Sequence, residues 1–314
     1  MELINKLTAL LLRSRFCPNE RYVMKVNEIV SKTEIKKGWS NDKKYRAIAQ
    51  DGNIYLLRTS DISQLDRKRQ EHEYMSVCAE MGLFICKPIS FEICGNEVCT
   101  IQSWIEGEDA EAVISGLALK EQYRFGVVAG KILQKIHSIP APKNTPEWSA
   151  RFNAKADRKI KMYNDCPIKY DNGDAFIEYV NSHRKLLENR PFSFQHGDYH
   201  IGNMMIGNDR ELYVIDFNRF DFGDPWEEFN RIVWSAQASP HFASGMVDGY
   251  FDNDVPYRFW ELLALYISCN TLSSIPWAIP FGDKEIETMK NQAKEVLHWY
   301  NGMQNVIPSW YINK

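Results

Sequence analysis

The stretch that most restricts what this chain can be runs from His196 to Asp216. It opens with "HGDYHIGN", which packs two histidines, an aspartate and an asparagine between His196 and Asn203. Asp198 is followed five residues later by Asn203, and thirteen residues beyond Asn203 lies Asp216, inside "LYVIDFNRF". The residues between, "NMMIGNDRELYVID", read as a hairpin turning at 207–210. A hairpin brings its ends together, so Asn203 and Asp216 are expected to converge from adjacent strands on one cation, with Asp198 beside them at the loop mouth.

Two chemistries compete for these residues. His196, Asp198 and His200 stand at spacings of two, share a face if the segment is a strand, and are ligand types for zinc. No further ligand cluster supports that use. Phosphoryl transfer needs a carboxylate that accepts or orients the acceptor hydroxyl proton, and oxygen ligands that hold Mg2+ against nucleotide phosphates. The spacing D-x4-N-x12-D matches the catalytic loop and metal-binding segment of eukaryotic-like kinases.

The bulk properties narrow the setting. The chain has 314 residues, 44% hydrophobic and 25% charged, which is globular rather than disordered composition. A net charge of −3 and a pI near 6.2 lack the basic surplus of a nucleic-acid footprint, so no nucleic-acid partner is expected. The seven cysteines are scattered, odd in number and never spaced CxxC, which favours reduced thiols over a disulfide framework. Leu3, Ile4, Leu7, Leu10 and Leu11 form one face of an N-terminal amphipathic helix, too short in its apolar run for a signal peptide. With no continuous apolar run of membrane-spanning length, a cytoplasmic location and no membrane partner are expected. Oligomeric state is not legible.

Along the chain, strands are expected near Val26–Lys36, Lys43–Ala49 and Asn53–Arg58, the last two joined by the Asp-Gly turn of "QDGN". "DRKRQEHEYMSVCAEMG" reads as a helix with Tyr74, Cys78 and Met81 on one face, and a hairpin around Gly95-Asn96 follows. From Glu106 the pattern turns mostly helical, interrupted by the β-like stretch that holds Asp198 and Asp216. These elements imply an α+β chain with a small, mostly β N-terminal lobe over residues 1–105 and a larger, mostly α C-terminal lobe over 106–314.

At this point the residues resemble a known family. "HGDYHIGNMMI…LYVIDFNRFDFGDPWEEF" is similar to the signature of the aminoglycoside phosphotransferase and choline kinase family, roughly H-G-D-x-H-x-x-N, then I-D-[WF] and G-D-P. The resemblance implies small-molecule kinases on a protein-kinase-like two-lobe fold. It implies Asp198 as catalytic base or hydroxyl-orienting residue, Asn203 and Asp216 as Mg2+ ligands, and ATP or GTP as phosphate donor. The 1–105 lobe would then bind the nucleotide, and the 106–314 lobe would carry the catalytic loop and the acceptor site. His196 and His200 become positioning residues, and His137 a cap or core residue at the end of its helix.

The same resemblance assigns the rest of the nucleotide site. A strand cation on the phosphates falls at Arg58, where the family pattern also has lysine, and the two are not interchangeable. Its helix partner falls at Glu71, with Glu73 as rival. The loop "KGWSNDKKY" would cover the phosphates through Ser40 and backbone amides, although it is not G-x-G-x-x-G. "QSWIEG" is the hinge, where backbone groups of Ser103, Trp104 and Ile105 would bond the purine, and Ile215 would pack against its ring. In "GDPWEEF", Asp224 is expected to cap a helix with Pro225 first and Glu227 as the reciprocal partner of a capping box, against a direct substrate role for Asp224.

The acceptor is less constrained. Between Ile232 and Tyr257 stand Asp248, Asp252 and Asp254 with no lysine or arginine, a surface that would draw a cation unless it is an exposed acidic turn. The many Trp and Tyr rings of the C-terminal half suit a quaternary ammonium or a sugar face, and equally suit a core. A cationic sugar of the aminoglycoside kind is the favoured acceptor. Choline, ethanolamine, homoserine, another sugar or a macrolide are alternatives, and a non-catalytic nucleotide-binding pseudokinase is the reading from another class.

Overall fold

A computed structural model describes residues 24–36 and 42–312. The N-terminal amphipathic helix and Ser40 lie outside these residues. The chain divides into two compact units, residues 1–109 with 203–220, and residues 110–202 with 221–314.

The first unit is built on an antiparallel sheet of β1 (Ile29–Ile35), β2 (Lys43–Ala49), β3 (Ile54–Asp61), β4 (Pro88–Cys94) and β5 (Glu97–Ser103), in the order β1-β2-β3-β5-β4. Side chains alternate across a strand. Ala47, Ala49, Leu57, Cys99 and Ile101 pack on one face with Met24, and the next residue after Leu57 is the buried Arg58. Between β3 and β4 runs α1 (Leu65–Glu80), which packs on β4 and β5.

The buried residues of α1 are Lys68, Glu71, Met75, Val77 and Cys78; of the expected Tyr74, Cys78 and Met81, only Cys78 is among them. The difference has a physical source: two of these five residues are charged, so an apolar pattern does not reveal the face. The unit is completed by β6 (Gly107–Asp109) and the hairpin Met204–Gly207 with Leu212–Val214. Its turn is closed by Asp209, which accepts from the Glu211 amide at 3.1 Å and the Tyr213 hydroxyl at 2.7 Å.

The second unit is helical: α2 (Leu119–Ile136), α3 (Trp148–Asp165), α4 (Asp174–His183), α5 (Ile232–Ala238), α6 (Pro240–Phe251), α7 (Tyr257–Ala278) and α8 (Asp283–Trp299). α7 is long and apolar enough to cross a membrane, but most of its apolar window is buried inside the protein and it serves as the unit's core helix. α2 and α6 meet backbone to backbone. A Cβ on Gly126 would stand 2.1 Å from the Phe242 carbonyl oxygen, and one on Gly130 would stand 2.2 Å from that of Met246. From the other helix, Cβ atoms on Gly245 and Gly249 would each stand 2.3 Å from the carbonyl oxygens of Tyr123 and Val127. Two G-x3-G patterns therefore face each other, the spacing that places both glycines of a helix on one side. The short strand Ser193–Gln195 pairs with Asp221–Gly223 and leads directly into the 196–203 loop.

Candidate active site

In the first unit the hairpin does what its sequence implies locally. The Ile215 amide donates to the Asn203 carbonyl at 3.0 Å, one step beyond the Met204–Val214 pair, so Asn203 and Asp216 stand at the same end of the hairpin. Asp216 has φ 69° and ψ 63°, a left-handed conformation that costs a non-glycine residue about 1–3 kcal/mol and is concentrated at functional sites. Its Oδ1 accepts from Arg58 Nη1 at 2.8 Å.

Arg58 begins a relay of alternating charge. It also donates Nη2 and Nε to Asp42 Oδ2, at 2.8 and 3.2 Å. Asp42 Oδ2 takes Lys68 Nζ at 2.6 Å, and its Oδ1 accepts from the Ser60 hydroxyl at 2.8 Å. Lys68 then bonds Glu71 Oε2 at 2.9 Å. Burial pulls against ionisation at both centres. It would raise Asp42, but Arg58 and Lys68 outweigh it and hold the carboxyl below its ordinary range. Burial likewise disfavours the Arg58 cation, and Asp216, Glu71 and Asp42 more than compensate, so it stays charged.

The expected Arg58–Glu71 ion pair is thus replaced. Glu71 bonds Lys68, its neighbour three residues earlier on the same helix, and acts on Arg58 only at longer range. Glu73 is exposed. Asp42 and Lys68 are members that sequence reasoning missed. The Glu71-minus-three spacing was a signal for Lys68, whereas nothing local singles out Asp42.

A cavity of about 460 Å³ in the same unit is walled by Ser103, Trp104 and Ile105, with Phe84 and Ile85 among its apolar members. The Ser103 amide is already committed to the Lys87 carbonyl at 2.8 Å. Ile215 is half-buried and does not line this cavity.

Asn203 and Asp216 fit a hard divalent cation by donor type, one amide oxygen and one carboxylate at one hairpin end. Asp216 keeps 23% of its side chain exposed despite its ion pair. Among the described residues no group of three His, Cys, Asp or Glu side chains is placed to hold a metal. That removes the His196–Asp198–His200 zinc arrangement, and it suits Mg2+, which usually takes one or two protein oxygens and completes its shell with water and phosphate.

In the second unit the Asp198 loop is held from below by Glu228. Glu228 is 2% exposed, and its two oxygens accept the backbone amides of His196 and Gly197, each at 2.6 Å. Gly197 has φ 86°, a conformation for which glycine is the natural residue. His137, at the end of α2, donates from Nε2 to Glu228 Oε2 over 3.4 Å, which leaves Nδ1 to accept from the Tyr250 hydroxyl at 2.9 Å.

His196 is fully buried, and its Nδ1 accepts from the Asp198 amide at 3.3 Å, which puts the ring proton on Nε2. His200 Nδ1 likewise accepts from the Gly202 amide at 3.1 Å, leaving Nε2 3.8 Å from Asp198 Oδ1. Arg231 Nε stands 3.3 Å from the same oxygen. The Asp198 carboxylate is therefore approached by donors, while its backbone is fixed by buried hydrogen bonds.

Glu228 was missed in the sequence, where Glu227 drew attention as a capping residue. The expected cap does not form: the 3-10 helix starts at Glu227 with Trp226 at its N-cap and no side-chain cap, and the bond from the Trp226 amide to Asp224 Oδ1 at 3.0 Å closes the turn before it. Nor does Glu227 act as a reciprocal partner, because it turns to Lys155 at 2.8 Å and Gln195 at 3.3 Å. Asp224 is fully buried under a bidentate Arg190 and the Tyr266 hydroxyl, which occupies it structurally.

The acidic surface expected between Ile232 and Tyr257 does not form. Asp248 is buried and accepts from the hydroxyls of Tyr123 and Tyr311, both at 2.6 Å. Asp252 pairs with Lys131, and Asp254 is simply exposed.

This architecture, an antiparallel nucleotide-lobe-like sheet and a helical unit carrying the H-G-D-x-H loop, defines a phosphotransferase on a protein-kinase-like fold. Residues 32–261 match the model of the phosphotransferase enzyme family, and the chain belongs to that family. Solved structures share the fold at low identity. The amicoumacin kinase hAmiN, solved with AMP-PNP, Ca2+ and Ami, is 13% identical with a TM-score of 0.63, covering 95% of this chain and 97% of its own. The aminoglycoside phosphotransferase APH(4)-Ia is 16% identical with a TM-score of 0.61, over 94% of this chain and 98% of its own. A choline/ethanolamine kinase family protein from Mesorhizobium loti is 12% identical with a TM-score of 0.62, over 96% and 98%.

Proposed function

We propose that the protein is a cytoplasmic, Mg2+-dependent kinase that moves the γ-phosphate of ATP or GTP to a hydroxyl of a small molecule. The observation that carries this is the amide and carboxylate at one hairpin end of the first unit, Asn203 and Asp216; the second unit supplies a carboxylate on a buried scaffold, Asp198. Asn203 and Asp216 would hold the cation, which neutralises phosphate charge when bound. Asp198 orients the acceptor hydroxyl and receives its proton as the acceptor oxygen bonds to the γ-phosphorus. The bond from that phosphorus to the β–γ bridging oxygen breaks, and the nucleoside diphosphate leaves with the electron pair.

His200 and Arg231 restrict where the Asp198 carboxylate points, and Glu228 fixes the loop beneath it. Ser103, Trp104 and Ile105 supply a wall for the purine, with the Trp104 and Ile105 backbone facing the base. Arg58 is suited to phosphate oxygens because its fork can bond two at once, at the cost of loosening Asp42 or Asp216.

Nucleotide titration with and without Mg2+, alongside turnover, tests this. Asp198→Ala should abolish transfer and keep nucleotide binding. Asp216→Ala should lose the Mg2+-dependent part of nucleotide affinity. Strong residual turnover in Asp198→Ala would remove the base assignment.

A further inference from the structure

Near the Asp198 loop of the second unit, one ammonium among the described residues has no carboxylate at ion-pair distance. Lys155 and Lys159, four residues apart on α3, lie on one side of that helix, both half-buried. Lys155 bonds Glu227. Lys159 and Arg231 also act on Glu227, whose carboxyl burial alone would raise, and together with Lys155 they hold it down. Arg231 in turn reaches Asp198. Three cations, Lys155, Lys159 and Arg231, thus act on Glu227, while Asp221 also acts on Lys155, Asp198 meets Arg231, and Glu228 lies under the loop.

Lys159 is the one of the three without an ion pair. Its only hydrogen bond among the described residues is to a neutral amide, Asn270 Oδ1 of α7, at 3.4 Å, and no carboxylate lies within ion-pair distance. Withdrawing an ammonium from water without a counter-ion is unfavourable. Burial pushes Lys159 down to about 8, with Lys155 and Arg231 adding repulsion and Cys269 and Glu227 opposing. Of the three carboxylates expected to attract a cationic acceptor, Asp248 and Asp252 are engaged by Tyr123, Tyr311 and Lys131, and Asp254 alone stays exposed.

We propose that Lys159, flanked by Lys155 and Arg231, is an acceptor subsite for an oxyanion, so that the molecule phosphorylated is a hydroxylated carboxylate or phosphate ester and not a cationic sugar. The inference rests on Asp198 facing the acceptor hydroxyl. Arg231 links the two, because it contacts Asp198 and belongs to the same cationic group. A bound oxyanion supplies the counter-charge that Lys159 lacks, and a charge-assisted hydrogen bond there is worth roughly tenfold or more in affinity.

Matched acceptors test it on the full-length protein: glycerate and glycerol 3-phosphate against glycerol, gluconate against sorbitol, with choline as the cationic probe. Mg2+-dependent ATP and GTP consumption gives kcat and KM, and isothermal titration of the anionic probes into nucleotide-loaded Asp198→Ala gives binding without turnover. The anionic member of each pair should exceed its neutral partner at least about tenfold in kcat/KM. Lys159→Met should erase most of that ratio through KM and remove anion binding in the Asp198→Ala background, while Lys159→Arg restores both. A preference for glycerate marks a carboxylate, and one for glycerol 3-phosphate marks a phosphate. Equal or better use of choline or the neutral partners, anion binding undiminished by Lys159→Met, or no anion binding at all would overturn the subsite. Transfer that survives Asp198→Ala would instead overturn the assignment of Asp198, and the binding measurements stand apart from that outcome.

Discussion

Glu228→Gln is the substitution that most directly probes how the Asp198 loop is held. Glu228 uses both oxygens on backbone amides, His196 and Gly197, at 2.6 Å each, in a site with almost no solvent. Glutamine keeps one acceptor oxygen and presents an NH2 group to the second amide. One charge-assisted bond is lost, at about 1.5–3 kcal/mol, and a buried amide is left unpaired, at about 1–3 kcal/mol. These overlap, so a net destabilisation of roughly 2–5 kcal/mol is expected, a large share of the ~5–15 kcal/mol stability of an ordinary protein. Catalysis should suffer separately. Asp198 follows Gly197 directly, and a displacement of about 1 Å in a reacting group costs on the order of a hundredfold in rate. Urea unfolding with a fixed slope measures the first effect, and turnover well below the unfolding midpoint measures the second. A variant within about 0.5 kcal/mol of the parent and within twofold in turnover would refute the claim that Glu228 supports the loop, since that is the range of an ordinary surface change.

Two further predictions concern stability. Gly130→Ala should destabilise the protein by about 1–3 kcal/mol or more, read by urea unfolding, because the new Cβ meets a main-chain carbonyl at 2.2 Å. Asp42→Asn should flatten the acid limb of the stability curve. The Asp42 carboxyl is lowered in the folded chain, so its contribution is present above about pH 4 and fades as pH falls through the lowered value. Unfolding free energies measured between pH 6 and pH 3 should fall less steeply in the variant, and identical slopes would remove Asp42 from the relay.

The parts of this protein that sequence made legible are those governed by short-range rules. The Asp51-Gly52 and Gly95-Asn96 turns, the strands they join and the 204–214 hairpin follow from alternation and turn chemistry, and the Asn203–Asp216 juxtaposition follows from the hairpin. What escaped depends on partners distant in sequence. Asp42 is defined by Arg58 and Lys68, sixteen and twenty-six residues away. Glu228 differs from Glu227 only in which way its side chain turns, and the thirty-odd residues to His196 hide the bond it makes. Asp248 looked like surface charge because the hydroxyls of Tyr123 and Tyr311, 125 and 63 residues away, cannot be seen from its neighbours. Buried polar groups are chosen by the pairings they complete, and no local periodicity encodes those pairings.

The contact between α2 and α6 has a consequence for how this protein can vary. A tight spot between side chains can be repaired genetically, since enlarging one residue is offset by trimming the one opposite. At Gly126, Gly130, Gly245 and Gly249 the opposing atoms are carbonyl oxygens and amide nitrogens, which every amino acid carries. No second-site substitution can shorten them. A selection for suppressors of Gly130→Ala should therefore return only revertants or changes elsewhere that raise global stability, and none at Met246 itself.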